Sequence, residues 1–340
     1  MDLERYQRQM LFAGLGLEGQ RRLAAATVAL IGVGATGSVL ANALVRAGVG
    51  RLRIADRDYV ELHNLQRQML FDERDAGEGR PKAIAAAEKL RAVNSAVTIE
   101  PLVVDVNSET IDEVAHGADL LLDGSDNFEV RYLINDVCVE RSIPWIYCGA
   151  LASYGMTMNI TPGGPCFRCI FPEAPAPGTA PTCDTAGVLG TAVGTVASIA
   201  ASEAIKLLVG RGTPNPGLIS IDVWELSFDV VSLGPPRPDC PACGQRNFAY
   251  LYGEAAARTT SLCGRDAVQV RPGGSSYIDL HELAGRLREA GVAQLRLTEH
   301  LLRFTVSGCE LTVFPDARAI VKGTEDETYA RTLYARWIGM

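Results

Sequence analysis

The sequence predicts an α/β fold: a Rossmann-like, doubly wound sheet with a four-cysteine zinc site, followed by a small C-terminal α+β appendage. Three observations lead to this prediction. An apolar run near the N-terminus leads into a glycine-rich turn, two Cys-x-x-Cys pairs frame the middle of the chain, and the residue pattern changes after Gln245. We expect residues 1–250 to form the α/β domain and residues 258–340 to form the appendage.

The composition is that of a globular protein with ample apolar material. The chain has 340 residues, 47% of them hydrophobic, and a net charge of −8, which disfavours a nucleic-acid partner. The first residues are polar and charged, so no signal peptide is expected, and nine cysteines then indicate a reducing, cytoplasmic location. The apolar stretch 188–209 contains Glu203 and Lys206, so we expect a buried helix rather than a membrane span.

The N-terminal part carries the pattern of a dinucleotide-binding unit. Thr27–Ile31 is a short apolar, β-branched run that predicts a buried strand, and the G-x-G-x-x-G sequence Gly32–Gly37 follows it directly. A helix is predicted over Ser38–Ala47 and a second strand over Arg51–Ala55, which leads to Asp56. The order of strand, glycine turn, helix, strand and acid is the dinucleotide fingerprint.

Each part of this fingerprint has a physical role at a phosphate site. Gly32 permits a sharp turn, Gly34 lets phosphate oxygens approach the backbone, and Gly37 lets the helix pack closely on the strand. The helix N-terminus supplies unpaired N–H groups, and Asp56 can accept hydrogen bonds from ribose hydroxyls. The fingerprint alone fits NAD, FAD, S-adenosylmethionine or ATP, and a glycine turn without a ligand is the alternative.

Two cations follow the second strand. A polar loop, Asn64–Gln68, contains Arg67, and Gly79–Pro81 lead into a helix predicted over Lys82–Val93. Arg67 and Lys82 would lie near the ribose site, where a nicotinamide enzyme has little need for cations. A triphosphate attacked at phosphorus needs them strongly. The alternative for each is an ordinary solvated surface cation.

A third strand is predicted over Leu120–Asp123 and is followed by further polar residues. Asp126 would lie at the carboxyl end of this strand, where ligands bind in parallel sheets. A carboxylate beside phosphates is suited to Mg²⁺, which prefers oxygen ligands. Alternatively, Asp126 caps the helix predicted to start near Phe128, and Asp123 is expected to be structural.

The doubled Cys-x-x-Cys spacing predicts a tetrahedral zinc site of the all-cysteine type. Each pair presents two thiolates from a tight turn, and the second pair completes the ligand shell. The alternatives are two unrelated turns or one redox pair. The four cysteines are Cys166, Cys169, Cys240 and Cys243.

The residues after Gln245 predict a small α+β domain. Alternating, β-rich segments occur within Arg258–Val270 and Leu295–Val313, and amphipathic helices are predicted over Asp279–Ala290 and Thr328–Ile338. The pattern does not indicate what this domain does.

The motifs occur in an order that resembles a known family. Together they resemble the E1-like adenylyltransferases of the ThiF/MoeB/HesA family over about residues 1 to 250. The stretch Thr182–Gly187 and the tail resemble ThiF-type proteins of Gram-positive bacteria, and the tail carries no rhodanese-like active-site loop. The motifs that carry the resemblance are RYxRQ at 5–9, GxGxxG, Asp56, NLQRQ at 64–68, GxPK at 79–82, SDN at 125–127 and the two CxxC pairs.

The resemblance implies an enzyme that binds ATP with Mg²⁺ and a small ubiquitin-like sulfur carrier protein ending in Gly-Gly. Such an enzyme joins AMP to the carrier's terminal carboxylate and releases pyrophosphate. The acyl-adenylate is then converted to a thiocarboxylate, which for a ThiS-like carrier feeds thiamine thiazole biosynthesis. A homodimer and a sulfurtransferase partner are also implied, whereas neither a nucleic acid nor a membrane is expected. The alternatives are a MoaD-like carrier of molybdopterin biosynthesis, an NAD-dependent oxidoreductase, and a non-catalytic scaffold.

The resemblance also assigns roles to individual residues. Asp56 would hold the ribose, Asn64, Arg67 and Lys82 the phosphates, and Asp126 the Mg²⁺, while Arg8 would reach into the site of the partner subunit. Ala35 and His63 stand where many relatives have Gly and Ser, and alanine makes a positive φ costly. Cys183, in a loop over residues 172–186, could attack the acyl-adenylate, carry sulfur or be a bystander. The other positions assigned to the nucleotide are Gly32, Gly34, Ala35, Gly37, His63, Leu65, Gln66 and Asn127.

Overall fold

The structure is a computed structural model that describes residues 3–173, 186–253, 259–262, 266–271, 277–292 and 294–338. The chain folds into two compact units, one made of residues 1–175 with 186–256 and the other mainly of residues 257–340. Each unit has its own sheet, and the two sheets are described separately below.

The first unit is built on an eight-stranded sheet in the order β3-β2-β1-β4-β5-β6-β7-β8. Strands β1 to β5 run parallel, and β6 to β8 continue the sheet in antiparallel pairs. The strands are β1 (Thr27–Ile31), β2 (Arg51–Ala55), β3 (Thr98–Leu102), β4 (Leu120–Asp123), β5 (Trp145–Leu151), β6 (Tyr154–Ile160), β7 (Gly217–Asp222) and β8 (Ser227–Ser232).

The helices of this unit connect the parallel strands and cover the sheet. Two short 3₁₀ turns, Glu4–Tyr6 and Leu62–Asn64, accompany them. The α-helices are α1 (Gln7–Met10), α2 (Gly16–Ala25), α3 (Ala35–Ala47), α4 (Glu73–Glu78), α5 (Lys82–Val93), α6 (Ile111–Ala115), α7 (Phe128–Arg141), α8 (Phe167–Ile170) and α9 (Gly190–Val209).

The strand order reverses between β1 and β4, and this reversal positions the site. The chain passes from β1 to β2 on one side of β1, whereas β4 lies on the other side of β1. The loops after β1 and β4 therefore border a crevice. Ile31 is level with Ala55 of β2 and with Asp123 of β4. The turns that follow these strands therefore meet at one edge, which we call the carboxyl edge.

Helix α9 packs against α3, β5 and β6. It is long and apolar enough to span a membrane by length and composition, but half of that stretch is buried in the unit. A glycine of the sheet permits close approach: a Cβ on Gly155 of β6 would lie 2.6 Å from Cβ of Val196 in the helix. Among its exposed residues, Thr195, Ser198 and Ser202 donate their hydroxyls to the carbonyls one turn earlier. The helix is thus a core element of the α/β unit.

The second unit has a six-stranded antiparallel sheet in the order β11-β12-β13-β14-β10-β9. One apolar core contains residues of both its helices and of strands β10, β12, β13 and β14. Asp279 and Asp326 cap the two helices by accepting backbone N–H groups. The elements are β9 (Thr259–Leu262), β10 (Ala267–Val270), α10 (Leu280–Glu289), β11 (Leu295–Leu297), β12 (Leu302–Val306), β13 (Cys309–Val313), β14 (Ala319–Lys322) and α11 (Glu327–Trp337).

The fold class predicted from the sequence is confirmed, including the parallel-core sheet and the α+β composition of the tail. The helix over Lys82–Val93 has the predicted bounds, whereas the helix predicted from Ser38 already starts at Ala35. Strands β3, β5 to β8 and β14 were not predicted from the sequence pattern.

Candidate active site

Three glycines hold the turns after β1 and β4 together at the carboxyl edge. Gly32 has a φ of +85°, and a Cβ there would lie 2.6 Å from the carbonyl oxygen of Gly124. A Cβ on Gly37 would lie 2.1 Å from the carbonyl oxygen of Gly32, and one on Gly124 would lie 2.3 Å from the same oxygen. The roles predicted for Gly32 and Gly37 in turning and packing therefore extend to Gly124, which the fingerprint did not include.

Helix α3 opens directly at this turn. Gly34 is its N-cap and offers no side-chain cap, and the first bond within the helix runs from the Ser38 N–H to the Gly34 carbonyl, at 3.0 Å. The N–H groups of the first helical turn, which come before Ser38 and have no partner within the helix, are therefore available to an anion. Ala35 is the first helical residue and is not among the described residues with positive φ, so the strain considered for alanine at this position does not arise.

Asp56 is buried beside the glycine turn. Its Oδ2 accepts the Val33 N–H and its Oδ1 accepts the Asp58 N–H, both at 2.8 Å. Burial raises the pKa of Asp56, while the nearby Lys82 ammonium opposes that rise. Since each carboxylate oxygen has a second lone pair, the side chain still has acceptor capacity for a hydroxyl donor.

Lys82 is not a solvated surface cation. Its side chain is only 4% exposed, and its Nζ lies 3.2 Å from Oδ2 of Asp58. Its backbone N–H donates to the Asp58 carbonyl at 2.9 Å, which fixes the first turn of α5 against the loop after β2. The lysine ammonium is thus held close to Asp56 at the carboxyl edge.

Arg67 lies in the loop that begins with the 3₁₀ turn. Its Nη1 donates to the carbonyl of His63 at 3.0 Å. The start of α9 lies against this loop, because a Cβ on Gly190 would be 2.7 Å from the Gln66 carbonyl and 3.6 Å from Cα of Arg67. Arg67 is therefore positioned by both the loop and the helix.

The neighbouring loop residues differ in burial. Asn64 is buried, and its Oδ1 accepts the Glu61 N–H at 3.0 Å, so this oxygen closes the 3₁₀ turn. His63 and Gln66 are exposed, whereas Leu65 packs on the apolar core.

Arg57 is a partly buried cation of the site that the sequence reasoning missed. Its Nη1 lies 2.9 Å from Oδ1 of Asp105, and its Nε lies 3.9 Å from Oδ1 of Asp58. Although burial disfavours the charged form, Asp105, Asp58 and Asp126 raise the pKa of Arg57. The only sequence signal is its place directly after the strand-end acid Asp56, because its partners come from other loops.

Arg131 fixes the turn that carries Asp126. Its Nε lies 3.0 Å from Oδ2 of the fully buried Asp123, and its Nη2 donates to the Ser125 carbonyl at 2.9 Å. The guanidinium also lies over the rings of Phe128 and Tyr147, at 5.0 Å and 5.1 Å from their centroids. Asp123 is structural, as predicted.

The alternative considered for Asp126, that it caps the next helix, is wrong. The cap of α7 is Asn127, whose Oδ1 accepts the Glu129 N–H at 2.9 Å. Asp126 instead lies near enough to Arg57 and Arg131 to raise the pKa of both guanidinium groups. Its carboxylate therefore belongs to the charged group at the carboxyl edge.

The predicted cysteine pairs come together in space. The Sγ distances are 3.9 Å for Cys166–Cys169, 3.5 Å for Cys166–Cys240 and 3.4 Å for Cys169–Cys243. All four sulfur atoms lie within 4.8 Å of one another, and none of these pairs is a disulfide. Burial and the neighbouring thiols raise the pKa of Cys166 and, to about 11, that of Cys243. A bound cation would offset this cost of ionising Cys166 and Cys243.

Arg8 and Cys183 are the remaining predicted site residues. Arg8 is exposed on the short helix α1, and Cys183 lies outside the residues that the structure describes. Cys138, Cys148 and Cys309 are buried, and burial raises the pKa of each of these thiols.

The Arg131–Asp123 pair leads to a prediction about stability. Replacing Arg131 by Leu leaves Asp123 buried without its cation, which should cost about 3–5 kcal/mol of unfolding free energy near neutral pH. Burial already raises the pKa of Asp123, and Arg131 opposes that rise, so the variant raises it further. Asp123 in the folded variant then binds a proton more tightly than Asp123 in the unfolded chain. The loss of unfolding free energy relative to the wild type should therefore shrink as the pH falls from about 8 to about 5.

Urea unfolding at the two pH values measures this deficit. Arg141→Leu removes a partly exposed arginine of the same helix and should cost no more than about 1 kcal/mol. An Arg131→Leu deficit that stays constant over this pH range would show that Asp123 is not the group left unpaired.

Similarity to known proteins gives the family. The family model described as ThiF matches residues 6–242. The chain is 42% identical over 337 residues to the protein named sulfur carrier protein ThiS adenylyltransferase from Bacillus subtilis, covering 98% of this chain and 99% of that protein. It is also 42% identical over 244 residues to the SAMP-activating enzyme E1 of Haloferax volcanii, covering 72% of this chain and 89% of that enzyme.

A solved structure supports the fold independently. MccB of E. coli, in the crystal structure with MccA-N7isoASN, superposes with a TM-score of 0.64 at 22% identity, covering 72% of this chain and 75% of that one. At this identity the likeness concerns the fold alone. The family model and the relatives match well over half of the sequence, so the chain belongs to the ThiF family, as the order of its motifs predicts.

Proposed function

We propose that this protein is an ATP-dependent adenylyltransferase that joins AMP to the C-terminal Gly-Gly carboxylate of a ThiS-like sulfur carrier. The product would be converted to the thiocarboxylate used in thiamine thiazole biosynthesis. The observation that carries the proposal is the buried Lys82 ammonium beside Asp58 and Asp56 at a glycine turn. A hydride-transfer enzyme has little use for such a cation, whereas phosphoryl chemistry depends on it. The name of the Bacillus subtilis relative, similar over nearly its whole length, supports the same activity.

The proposed reaction needs no general base. The carrier's terminal carboxylate is ionised near neutral pH. One of its oxygens forms a bond to the α-phosphorus of ATP, and the bond from that phosphorus to the bridging oxygen breaks, so that pyrophosphate leaves. The barrier is mainly electrostatic, because an anion attacks an anionic phosphate.

The geometry supports a division of roles at the carboxyl edge. Asp56 would accept the ribose hydroxyls, since it is fixed by two backbone N–H groups beside the turn. The N-terminus of α3, with Lys82 and Arg67, would bind the phosphates. Asn64 would act chiefly by holding the loop that carries Arg67, because its Oδ1 already closes the 3₁₀ turn.

The carboxylates at the same edge fit a hard divalent cation. Asp126, Asp58 and Asp105 offer the oxygen donors that Mg²⁺ prefers, and they face the cations already described. We propose Asp126 as the Mg²⁺ ligand, which Arg131 positions through the Ser125 carbonyl. Bound Mg²⁺ supplies charge neutralisation on the phosphate oxygens.

The proposed role of the two cations predicts the effect of removing them. Arg67→Ala and Lys82→Ala should each lower carrier-dependent ATP–pyrophosphate exchange by about 10²–10³-fold. Each substitution removes a positively charged side chain that would stabilise the negative charge developing on the departing pyrophosphate. Arg74→Ala is the control, since Arg74 is exposed on α4 and pairs only locally with Glu78. Exchange at the wild-type rate in both variants would contradict the proposal, and melting temperatures separate folding defects from loss of chemistry.

We further propose that the protein acts as a homodimer in which Arg8 completes the site of the partner. Arg8 is exposed on α1, and Leu11 and Phe12, which follow it, are 80% and 70% exposed. An exposed apolar pair beside a cation suits a surface that a second copy covers. The sulfur step would require a separate sulfurtransferase, with Cys183 as the candidate residue for receiving the acyl group or carrying sulfur.

Subunit complementation tests the role of Arg8. Arg8→Ala and Arg67→Ala should each be inactive alone, because every site lacks one cation. A refolded equimolar mixture should recover about a quarter of wild-type exchange, since half the dimers are mixed and each has one complete site. A mixture as inactive as the separate variants, although gel filtration shows mixed dimers, would contradict a shared site.

The cysteine cluster is proposed to bind one structural zinc ion. Tetrahedral coordination with Zn–S bonds of about 2.3 Å places sulfur atoms about 3.8 Å apart. The described distances of 3.4–3.9 Å agree with this value. The ion would join the segment around α8 to residues Cys240 and Cys243.

The zinc proposal predicts one equivalent of metal for each chain. Cys240→Ser should lose the ion and destabilise the first unit by several kcal/mol, because bound metal contributes directly to folding free energy. Elemental analysis with thermal unfolding checks both results, and Cys148→Ser, outside the cluster, controls for replacing a buried thiol. Retention of stoichiometric zinc by Cys240→Ser would contradict the assignment.

A further inference from the structure

Gln68 is buried next to the glycine turn. It is 3% exposed and follows Arg67 directly, but it is not among the nucleotide-binding positions that the family resemblance assigns. Its backbone is fixed by two hydrogen bonds: its N–H donates to the Asn64 carbonyl at 3.0 Å, and its carbonyl accepts the Phe71 N–H at 3.2 Å. The side chain therefore starts from a defined position.

The carboxamide is directed at the N-terminus of α3. A Cβ on Gly34 would lie 3.7 Å from Nε2 of Gln68, an ordinary van der Waals distance, so the amide nitrogen lies over the Cα of this glycine. Helix α3 has 13 residues, and Gly34 provides no side-chain cap for its first turn. The donors of this turn and the Gln68 carboxamide are thus close together.

The other end of the carboxamide is unsatisfied. Oε1 of Gln68 is buried and has no hydrogen-bond partner among the residues that the structure describes. Burying an amide oxygen without a partner is unfavourable, and the large majority of buried polar groups in folded proteins have one. A buried, unpartnered side chain beside an uncapped helix indicates a ligand that bonds to both.

We propose that Gln68 binds the nucleotide directly. Its Nε2 donates to an oxygen of the phosphate held at the N-terminus of α3, and its Oε1 accepts a hydroxyl of the same nucleotide. This inference rests on the proposed function in that the nucleotide is ATP. Arg67 and Gln68 would then bind through adjacent side chains, the first as a charge and the second as a neutral donor and acceptor.

Gln68→Met and Gln68→Glu test this assignment by calorimetry with ATP and Mg²⁺, without the carrier. Methionine keeps the volume and removes both hydrogen bonds, so the dissociation constant should rise about 10- to 100-fold. Glutamate adds a negative charge beside the phosphate and should weaken binding more. Gln269→Met is the control, because Gln269 of β10 is also 3% exposed but lies in the second unit. The Gln269→Met variant should bind ATP with the affinity of the wild type.

The melting temperature without nucleotide provides a second readout. Since Oε1 has no partner among the described residues of the free protein, Gln68→Met should melt at or above the wild-type temperature. Wild-type ATP affinity in Gln68→Met, or a lower melting temperature without nucleotide, would overturn the inference in favour of a structural role. Failure of the wild type itself to bind ATP would instead overturn the proposed function.

Discussion

The contact among Gly32, Gly37 and Gly124 is the constraint on which the site depends. Backbone atoms of the two turns approach so closely that a Cβ at any of the three positions would overlap a backbone atom. This contact joins the turn after β1 to the turn after β4 and so brings Asp56 and Asp126 to the same edge. The same turn opens α3 without a side-chain cap, which leaves an anion site.

The charges of this edge are arranged in opposed pairs rather than as a simple positive patch. Lys82 lies against Asp58, Arg57 against Asp105 and Arg131 against Asp123. Because each of these three cations has a carboxylate partner, the site holds its charge without a bound nucleotide. These pairs also fix the side chains in place, so little reorganisation is needed when phosphates bind.

Local sequence patterns predicted the elements that determine the site. The run Thr27–Ile31, the glycines after it and the helix Lys82–Val93 are each encoded within a few residues, and the repeated cysteine spacing is also a local signal. Arg57 and Gln68 could not be recognised this way, because their importance comes from Asp105 and Gly34, which other loops supply. Asp126 and Asn127 are both common capping residues, so only the structure shows that Asn127 is the cap.

The central claim is that this edge makes a carrier's terminal carboxylate displace pyrophosphate from ATP. Mass spectrometry of a ThiS-like carrier, incubated with this protein, ATP and Mg²⁺, tests the claim most directly. The account predicts a carrier heavier by one AMP unit at its Gly-Gly terminus, with pyrophosphate released in equal amount. An unmodified carrier, together with tight binding of NAD in place of ATP, would contradict it.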